Sequence, residues 1–410
     1  MPENSSRIFH PKNFEPNFLR ITIANMVVRA AYQVGKTPLL PIFAASLGAT
    51  DVFLGIIVSV STLTGMLLKP MIGFMSDRWG RRLWLLVGTA FFAFMPFLYW
   101  LIRTPEQLFA IRIIHGIATA VYGPVTLAYI AEQWPEQRGE RLGWFEAGRN
   151  IGYIVGPAAA GWLLLFLSPP AIFTIIGLIS AVMFIPILAL PESRANTRNQ
   201  QKTSIWQQVR NALRDGLRTG GVWLAGSLDA LTYVATYALK AFLPIYGLSI
   251  GLNVAQVGLY FAVQEAVSMV VKPFGGRLGD RVGYFSAITL GMAVLGVGFI
   301  MISSVPSRLW LFVVALLIGV GQAFIFPITT ALVSVQVGEE NVGAGMGAVG
   351  TLRNAGKVAG PVIGGLLIQR FDYAQTFAVL GGMLLVSALM ILLRNGIKKS
   401  PTRQHSHAGD

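Results

Sequence analysis

The 410-residue chain contains no cysteine, which excludes disulfides and thiolate metal sites. Its four histidines, His10, His115, His405 and His407, show no metal-ligand spacing within one apolar segment, so neither a metal nor a cofactor is expected. The chain also lacks a nucleophile–base signature and a phosphate-cradling glycine loop, and it is not expected to be an enzyme. Charge is scarce too. Charged residues make up 12% against 54% hydrophobic, and the mean hydropathy is +0.61, which does not describe a soluble chain of this length.

Long apolar runs supply what the charges do not. Six lie near 20–47, 52–75, 83–102, 108–132, 142–167 and 171–190, and six more near 221–247, 256–276, 285–303, 309–336, 344–369 and 375–393. Each meets or approaches the roughly 20 residues that cross a bilayer. The sequence therefore predicts an all-α membrane protein of twelve transmembrane helices, in two six-helix repeats around a central cavity. Residues 1–190 form the first half, 191–219 a polar, basic cytoplasmic linker, and 220–410 the second half with a cytoplasmic tail. The first span is expected to be retained and to direct insertion itself. Within the linker, 204–217 has the spacing of an amphipathic helix at the membrane face.

A net charge of +14 raises the question of nucleic acid. Placing the N-terminus in the cytoplasm puts twenty Lys and Arg on that side and three, Arg103, Arg308 and Arg370, on the other. That is the positive-inside pattern; it accounts for the basic excess and makes nucleic-acid binding an unneeded explanation. Both termini are expected to be cytoplasmic, in a cell (inner or plasma) membrane.

The halves repeat in order. "KPMIGFMSDRWG" (69–80) matches "KPFGGRLGDRVG" (272–283), and "LPIF" at 40 matches "LPIY" at 243, with Gly116 and Gly319, and Pro124 and Pro327, likewise 203 apart. "GRNIGYIVGP" (148–157) and "LRNAGKVAGP" (352–361) match at 204. Six spans separate the equivalents, so the repeats run parallel, a common arrangement in secondary transporters.

Polarity has a period of three spans. Spans 3, 6, 9 and 12 are nearly free of ionisable residues and are expected to face lipid. The other spans hold charges that cost roughly 2.5 kcal/mol or more in hydrocarbon and must face each other or water. The candidates for the substrate cavity are Arg29, Tyr32, Gln33, Lys36, His115, Arg149, Asn150, Tyr233, Lys240, Gln264, Gln322, Arg353, Asn354 and Lys357. Seven cations, these six with Arg112, stand against Glu146, Asp229 and Glu265, which predicts a cationic pathway. The candidates for proton coupling are Glu265, the deepest acid by position, assisted by Asp229, with Arg112. Gly152, Gly156 and Pro157, and their equivalents Gly356, Gly360 and Pro361, are expected at close, slightly flexible helix contacts between the halves.

These residues carry a resemblance to the major facilitator superfamily over nearly the whole chain, in particular to its 12-helix drug/proton antiporter-like members. "GFMSDRWGRR" (73–82) resembles the signature loop between spans 2 and 3, and "GRLGDRVG" (276–283) its degenerate second copy. "FAIRIIHG" (109–116) is similar to the Arg-x-x-x-Gly element of span 4, and "GYIVGPAAAG" (152–161) to the Gly-Pro motif of drug/proton antiporters. In span 1 the chain departs from multidrug members that carry an acid there, offering Arg29 and Lys36 instead. The resemblance implies a monomeric, proton-coupled secondary transporter working by alternating access, an efflux antiporter of amphipathic small organic molecules. Its partners would be substrate, protons and the lipid bilayer. Organic-anion uptake is the alternative, and a non-transporting membrane sensor a remoter one. The resemblance also implies a cytoplasmic gate of Gly73, Asp77, Arg78, Gly80, Arg81 and Arg82, with Asp280 and Arg281 in the second copy, in which Asp77 meets the start of span 11 near Gly343 and Gly345.

Overall fold

The structure, a computed structural model, describes residues 15–193, 220–304, 307–336 and 342–398. The linker from residue 194, its amphipathic segment, Glu339, Glu340, His10, His405 and His407 lie outside the described residues. Among those described the chain is helical and has no strand. Two compact units result. One gathers the described part of Met1–Asn211 with Thr236–Ala262 and Lys357–Gln369. The other gathers the described parts of Ala212–Ala235, Val263–Gly356 and Arg370–Asp410.

The first half begins with α1 (Pro16–Val34), which stops at Gly35, and α2 (Leu39–Ser46) resumes after Pro38. Proline lacks the amide a continuing helix needs. The break leaves Lys36 in a turn, its amide donating to the Gln33 carbonyl at 3.1 Å. Next come α3 (Asp51–Trp79), α4 (Arg81–Phe94) running into a 3₁₀ turn at Met95–Leu101, α5 (Pro105–Gln133), α6 (Arg138–Leu163), α7 (Pro169–Val182) and α8 (Phe184–Leu188). In the second half, α9 (Gly220–Ser249) is continuous, because Ala241 stands where the first half has Pro38. It is followed by α10 (Val254–Val282), α11 (Tyr284–Ile302), α12 (Arg308–Gln336), α13 (Val342–Arg370) and α14 (Tyr373–Lys398).

The repeat is written into the backbone. Among the described residues, glycines with left-handed φ fall into two pairs 203 apart, Gly48 (85°) with Gly251 (86°) and Gly80 (100°) with Gly283 (89°). A side chain would strain each of these positions. Interior prolines recur likewise: Pro70 and Pro273, Pro124 and Pro327, then Pro157 and Pro361 at 204. Helix starts match as well. The Thr50 hydroxyl accepts from the Phe53 amide at 3.4 Å, and its equivalent Asn253 accepts from the Gln256 amide at 2.8 Å. Packing follows the same rule, for Gly88 on α4 admits Val121 and Tyr122 of α5, while Gly291 on α11 admits Phe324 and Ile325 of α12.

Eight helices, or helix pairs joined end to end, are long and apolar enough to cross a membrane among the described residues: α3, α4 with its 3₁₀ extension, α5, α7 with α8, α10, α11, α12 and α14. The remaining long helices, α1, α6, α9 and α13, are those the sequence reads as spans 1, 5, 7 and 11. Each holds charge near its middle: Arg29, Glu146 and Arg149, Asp229 and Lys240, Arg353 and Lys357. Large apolar side chains stay exposed along α7 and α8 (Leu178, Ile179, Val182, Ile185) and α14 (Val386, Leu389, Met390, Leu392), as lipid-facing surfaces require.

The paired Gly-Pro segments divide their work. Gly152 and Gly156 press on Ala30, Gln33 and Val34 of α1, and Gly356 on Ala230 of α9, so these glycines pack within their own half; Gly360 is buried. Contact with the other half is made by neighbouring residues, within the first unit. The Pro157 carbonyl and Gly161 meet Gly258 of α10, and the Pro361 carbonyl meets Gly55 of α3. Ser59 adds a hydrogen bond to the Val358 carbonyl at 2.7 Å. A methyl on Gly55 or Gly258 would overlap a backbone carbonyl, whereas one on Gly143 of α6 would meet nothing. We therefore predict that Gly55→Ala and Gly258→Ala each cost about 1–3 kcal/mol by overpacking. Gly143→Ala should be neutral or stabilising by up to about 1 kcal/mol through helix propensity. Thermal unfolding of the purified variants measures the difference in sign.

Candidate functional site

At one end of the first unit, the turn between α3 and α4 builds a charge network. Gly80 supplies the left-handed turn, and a side chain there would strike the Glu192 carboxylate. Arg81, 5% exposed, ion-pairs with Asp77 one turn back and with Glu132 at the end of α5 at 2.6 Å. It also donates to the Ser76 hydroxyl at 2.5 Å. The Ser193 hydroxyl donates to Glu132 at 2.8 Å, the Ser193 carbonyl accepts from the Arg81 amide at 2.9 Å, and Glu192 accepts from the Arg82 amide at 3.0 Å. The guanidinium is satisfied on several edges at once, the geometry for which arginine is suited. Arg78 is exposed, and Gly73 has open space around it.

The second copy of this loop has lost the network. Tyr284 stands in the place of Arg81 and Val335 in that of Glu132. What is left is a 3.2 Å hydrogen bond from the Tyr284 hydroxyl to Asp280, with Asp280 and Arg281 both exposed.

Deeper in the first unit, Arg112 on α5 is 1% exposed and donates to the Ser61 hydroxyl of α3 at 2.5 Å. Beside it the Tyr99 hydroxyl lies 3.4 Å from His115 Nδ1, and the rings of Tyr32, Phe92 and Tyr99 surround the imidazole. The Arg112 Nε and His115 Nε2 atoms are buried without a hydrogen-bond partner among the described residues. Arg29 and Lys69 both face Gly123, so Lys69, which by sequence could simply precede the loop, belongs beside Arg29. Arg149 is ion-paired with Glu146 one turn back on α6. Gln33 is buried against Gly156, and Asn150 is half-buried.

Around Tyr237 of α9, still within the first unit, lysines from three elements converge. The Lys36 ammonium lies 5.1 Å, Lys240 5.5 Å and Lys357 5.8 Å from the ring centroid. Lys36 also lies 5.9 Å from the Tyr32 ring, and Lys240 6.0 Å from that of Tyr153.

In the second unit Asp229 of α9, with no exposed surface, accepts from Arg353 Nε of α13 at 2.7 Å and from the Thr329 hydroxyl of α12 at 3.3 Å. Arg353 extends to Thr330 at 3.5 Å and lies 5.6 Å over the Tyr233 ring, which stacks on Phe326. Gln264 donates to Gln322 at 3.3 Å in a buried pair. Asn354 and Glu265 are half-buried. The structure thus joins Asp229 to Arg353.

The chain matches the family model of the Major Facilitator Superfamily twice, over residues 21–228 and 228–409. It belongs to that superfamily. It is accordingly a multi-pass membrane transporter of small molecules rather than an enzyme. Among curated relatives of this superfamily member, an uncharacterized MFS-type transporter of Methanocaldococcus jannaschii is 24% identical, covering 83% of this chain and 88% of its own. The multidrug resistance protein MdtG of Citrobacter koseri is 23% identical over 92% and 95%, and multidrug resistance protein 1 of Bacillus subtilis 24% over 86% and 90%. Among solved structures, a mutant of the nucleoside transporter NupG superposes with a TM-score of 0.78 at 13% identity, covering 92% of this chain and 99% of its own. A bacterial homologue of the lysosomal transporter Spinster gives 0.71 at 14% identity, over 92% and 94%. At such identities the likeness establishes the fold.

Sequence reasoning did not reach Glu132, Glu192, Ser193 or Tyr237 as parts of these sites. A signal for the first two existed, since acids are rare and both stand at span ends on the side of the basic loop. If Arg81 organises that end, Arg81→Ala removes the ion pairs to Asp77 and Glu132 and should cost about 3 kcal/mol. Arg81→Lys should recover only part, for want of the fork. Tyr284→Ala in the decayed copy should cost under about 1 kcal/mol. The check is the apparent Tm of each purified variant in one detergent.

Proposed function

We propose that the chain is a proton-coupled secondary transporter, an efflux antiporter of amphipathic small organic molecules that works by alternating access. In this reading twelve spans cross the cell membrane, both termini are cytoplasmic, and the protein acts as a monomer. The likeness to relatives named for multidrug resistance supports the direction. The observation that carries proton coupling is the wholly buried Asp229 held by Arg353 and Thr329.

A buried ion pair is a two-state element: protonating the carboxylate removes the anion that holds the guanidinium, and Arg353 is released toward solvent or substrate. Such a contact shifts the equilibrium between conformations only by what it contributes differently to each. The order of the two acids therefore changes from the sequence reading: Asp229 leads as the coupling acid and Glu265 assists. Arg112, buried against Ser61, is the second cation in the proton path.

The charge network around Arg81 has a related role in this reading. It stiffens the turn that presents Asp77, so that the loop docks as a unit when the cytoplasmic side closes, with Asp77 toward the positive end of α13. The alternative, uptake of an organic anion, is favoured by one observation, the lysine cluster around Tyr237.

The test uses proteoliposomes with an imposed pH gradient and a panel of amphipathic dyes. Wild type should move dye against its gradient, and Asp229→Asn should retain binding and counterflow yet lose at least about 90% of the proton-driven component, as expected when the group that carries the proton cannot titrate. Glu265→Gln should lose less. Undiminished gradient-driven transport in Asp229→Asn would remove the residue from the coupling path.

A further inference from the structure

We propose that Lys36, Lys240 and Lys357, gathered around Tyr237, form a binding site for an organic substrate carrying two negative charges, a phosphomonoester or a dicarboxylate attached to an apolar body. The inference rests on the reading of the chain as a small-molecule transporter and names the charge class of its substrate. Three ammonium groups come from three separate elements, the α1–α2 turn, α9 and α13, and all lie within 6 Å of one ring centroid. Like charges brought so close repel, and negative charge placed among them relieves the repulsion. Two acids of the spans pair with arginines, Glu146 with Arg149 and Asp229 with Arg353.

The residue types narrow the ligand. A lysine ammonium is a compact point charge with three rotatable donors and does not demand the planar fork geometry that arginine does. Three of them suit a tetrahedral or freely turning oxyanion approached from several sides. The rings of Tyr32 and Tyr153 flank the cluster, 5.9 Å from Lys36 and 6.0 Å from Lys240, and with Tyr237 they offer aromatic faces to an apolar body. Lys36 reaches this place only because Gly35 and Pro38 end α1 there, and the repeat-equivalent of Lys36 in the continuous α9 is Leu239.

The experiment measures equilibrium binding to the purified full-length protein in detergent, with no gradient present, using one aromatic body at four charges: phenyl phosphate, benzoate, benzyl alcohol and benzyltrimethylammonium. Homophthalate and inorganic phosphate complete the set. Phenyl phosphate and homophthalate should bind at least about tenfold tighter than benzyl alcohol, the scale of one charge-assisted hydrogen bond, with benzoate between. Lys240→Gln and Lys357→Gln should each weaken phenyl phosphate about tenfold. Lys240→Arg should weaken it less, and the exposed-loop control Arg103→Gln should leave it unchanged.

Equal or tighter binding of benzyltrimethylammonium by the native protein would overturn the proposal without any variant. So would inorganic phosphate binding as tightly as phenyl phosphate, which would mark an adventitious ion site, or unchanged phenyl phosphate affinity in the folded lysine variants. Anion binding by a protein that moves no protons would leave this site standing and overturn the proton coupling alone. Proton-driven export of cations with no anion binding would do the reverse.

Discussion

Ionised groups at membrane depth are the constraint on which the rest of the structure depends. Each costs roughly 2.5–3.5 kcal/mol at the bilayer centre unless paired or hydrated, so a chain that keeps charges inside its apolar runs must fold them inward. The result is a division of labour among helices. Apolar α7, α8, α11 and α14 present large side chains outward, while α1, α6, α9 and α13 carry the charges. Without lipid-facing helices to shield them, the charged ones could not occupy the membrane, and without the charges the protein would have no polar path through it.

Duplication supplies the scaffold and divergence supplies the chemistry. Left-handed glycines, interior prolines, helix caps and the Gly88 and Gly291 contacts recur at offsets of 203 or 204 because they serve backbone geometry, which is the same in both halves. Charged side chains recur in part, Asp77 and Arg78 as Asp280 and Arg281 and Arg149 as Arg353, but their contacts do not. The Arg81 network exists only in the first half, the Asp229–Arg353 pair has its two members in the second, and Lys36 depends on a helix break that the second half lacks.

How legible this was in the sequence follows from what each feature depends on. The repeat and the membrane class were legible because local pattern carries them: an offset of 203 and long apolar runs need no tertiary information. Cavity candidates followed from the expense of charge in lipid. Pairings were not legible. Asp229 and Arg353 are 124 positions apart, and nothing local says that they meet. Position along a span suggested that Glu265 was the deepest acid, yet burial depends on which face the neighbouring helices cover, and Asp229 is the one left with no exposed surface. Tyr237 was passed over because a tyrosine in an apolar helix is ordinary until three lysines are seen around it. Glu132 and Glu192 were missed for a similar reason, since an acid at a span end usually marks only the interface.

The central claim is that Lys36, Lys240 and Lys357 make the surroundings of Tyr237 a cationic site open to small solutes. A chain without cysteine allows that to be measured by placing a single one at Tyr237 and comparing its reaction rates with an anionic and a cationic membrane-impermeant thiosulfonate. Each rate is normalised to a single cysteine at the exposed position of Arg103. The account predicts clear labelling at Tyr237, with the normalised rate for the anionic reagent above that for the cationic one. Absence of labelling, or a preference for the cationic reagent, would contradict it.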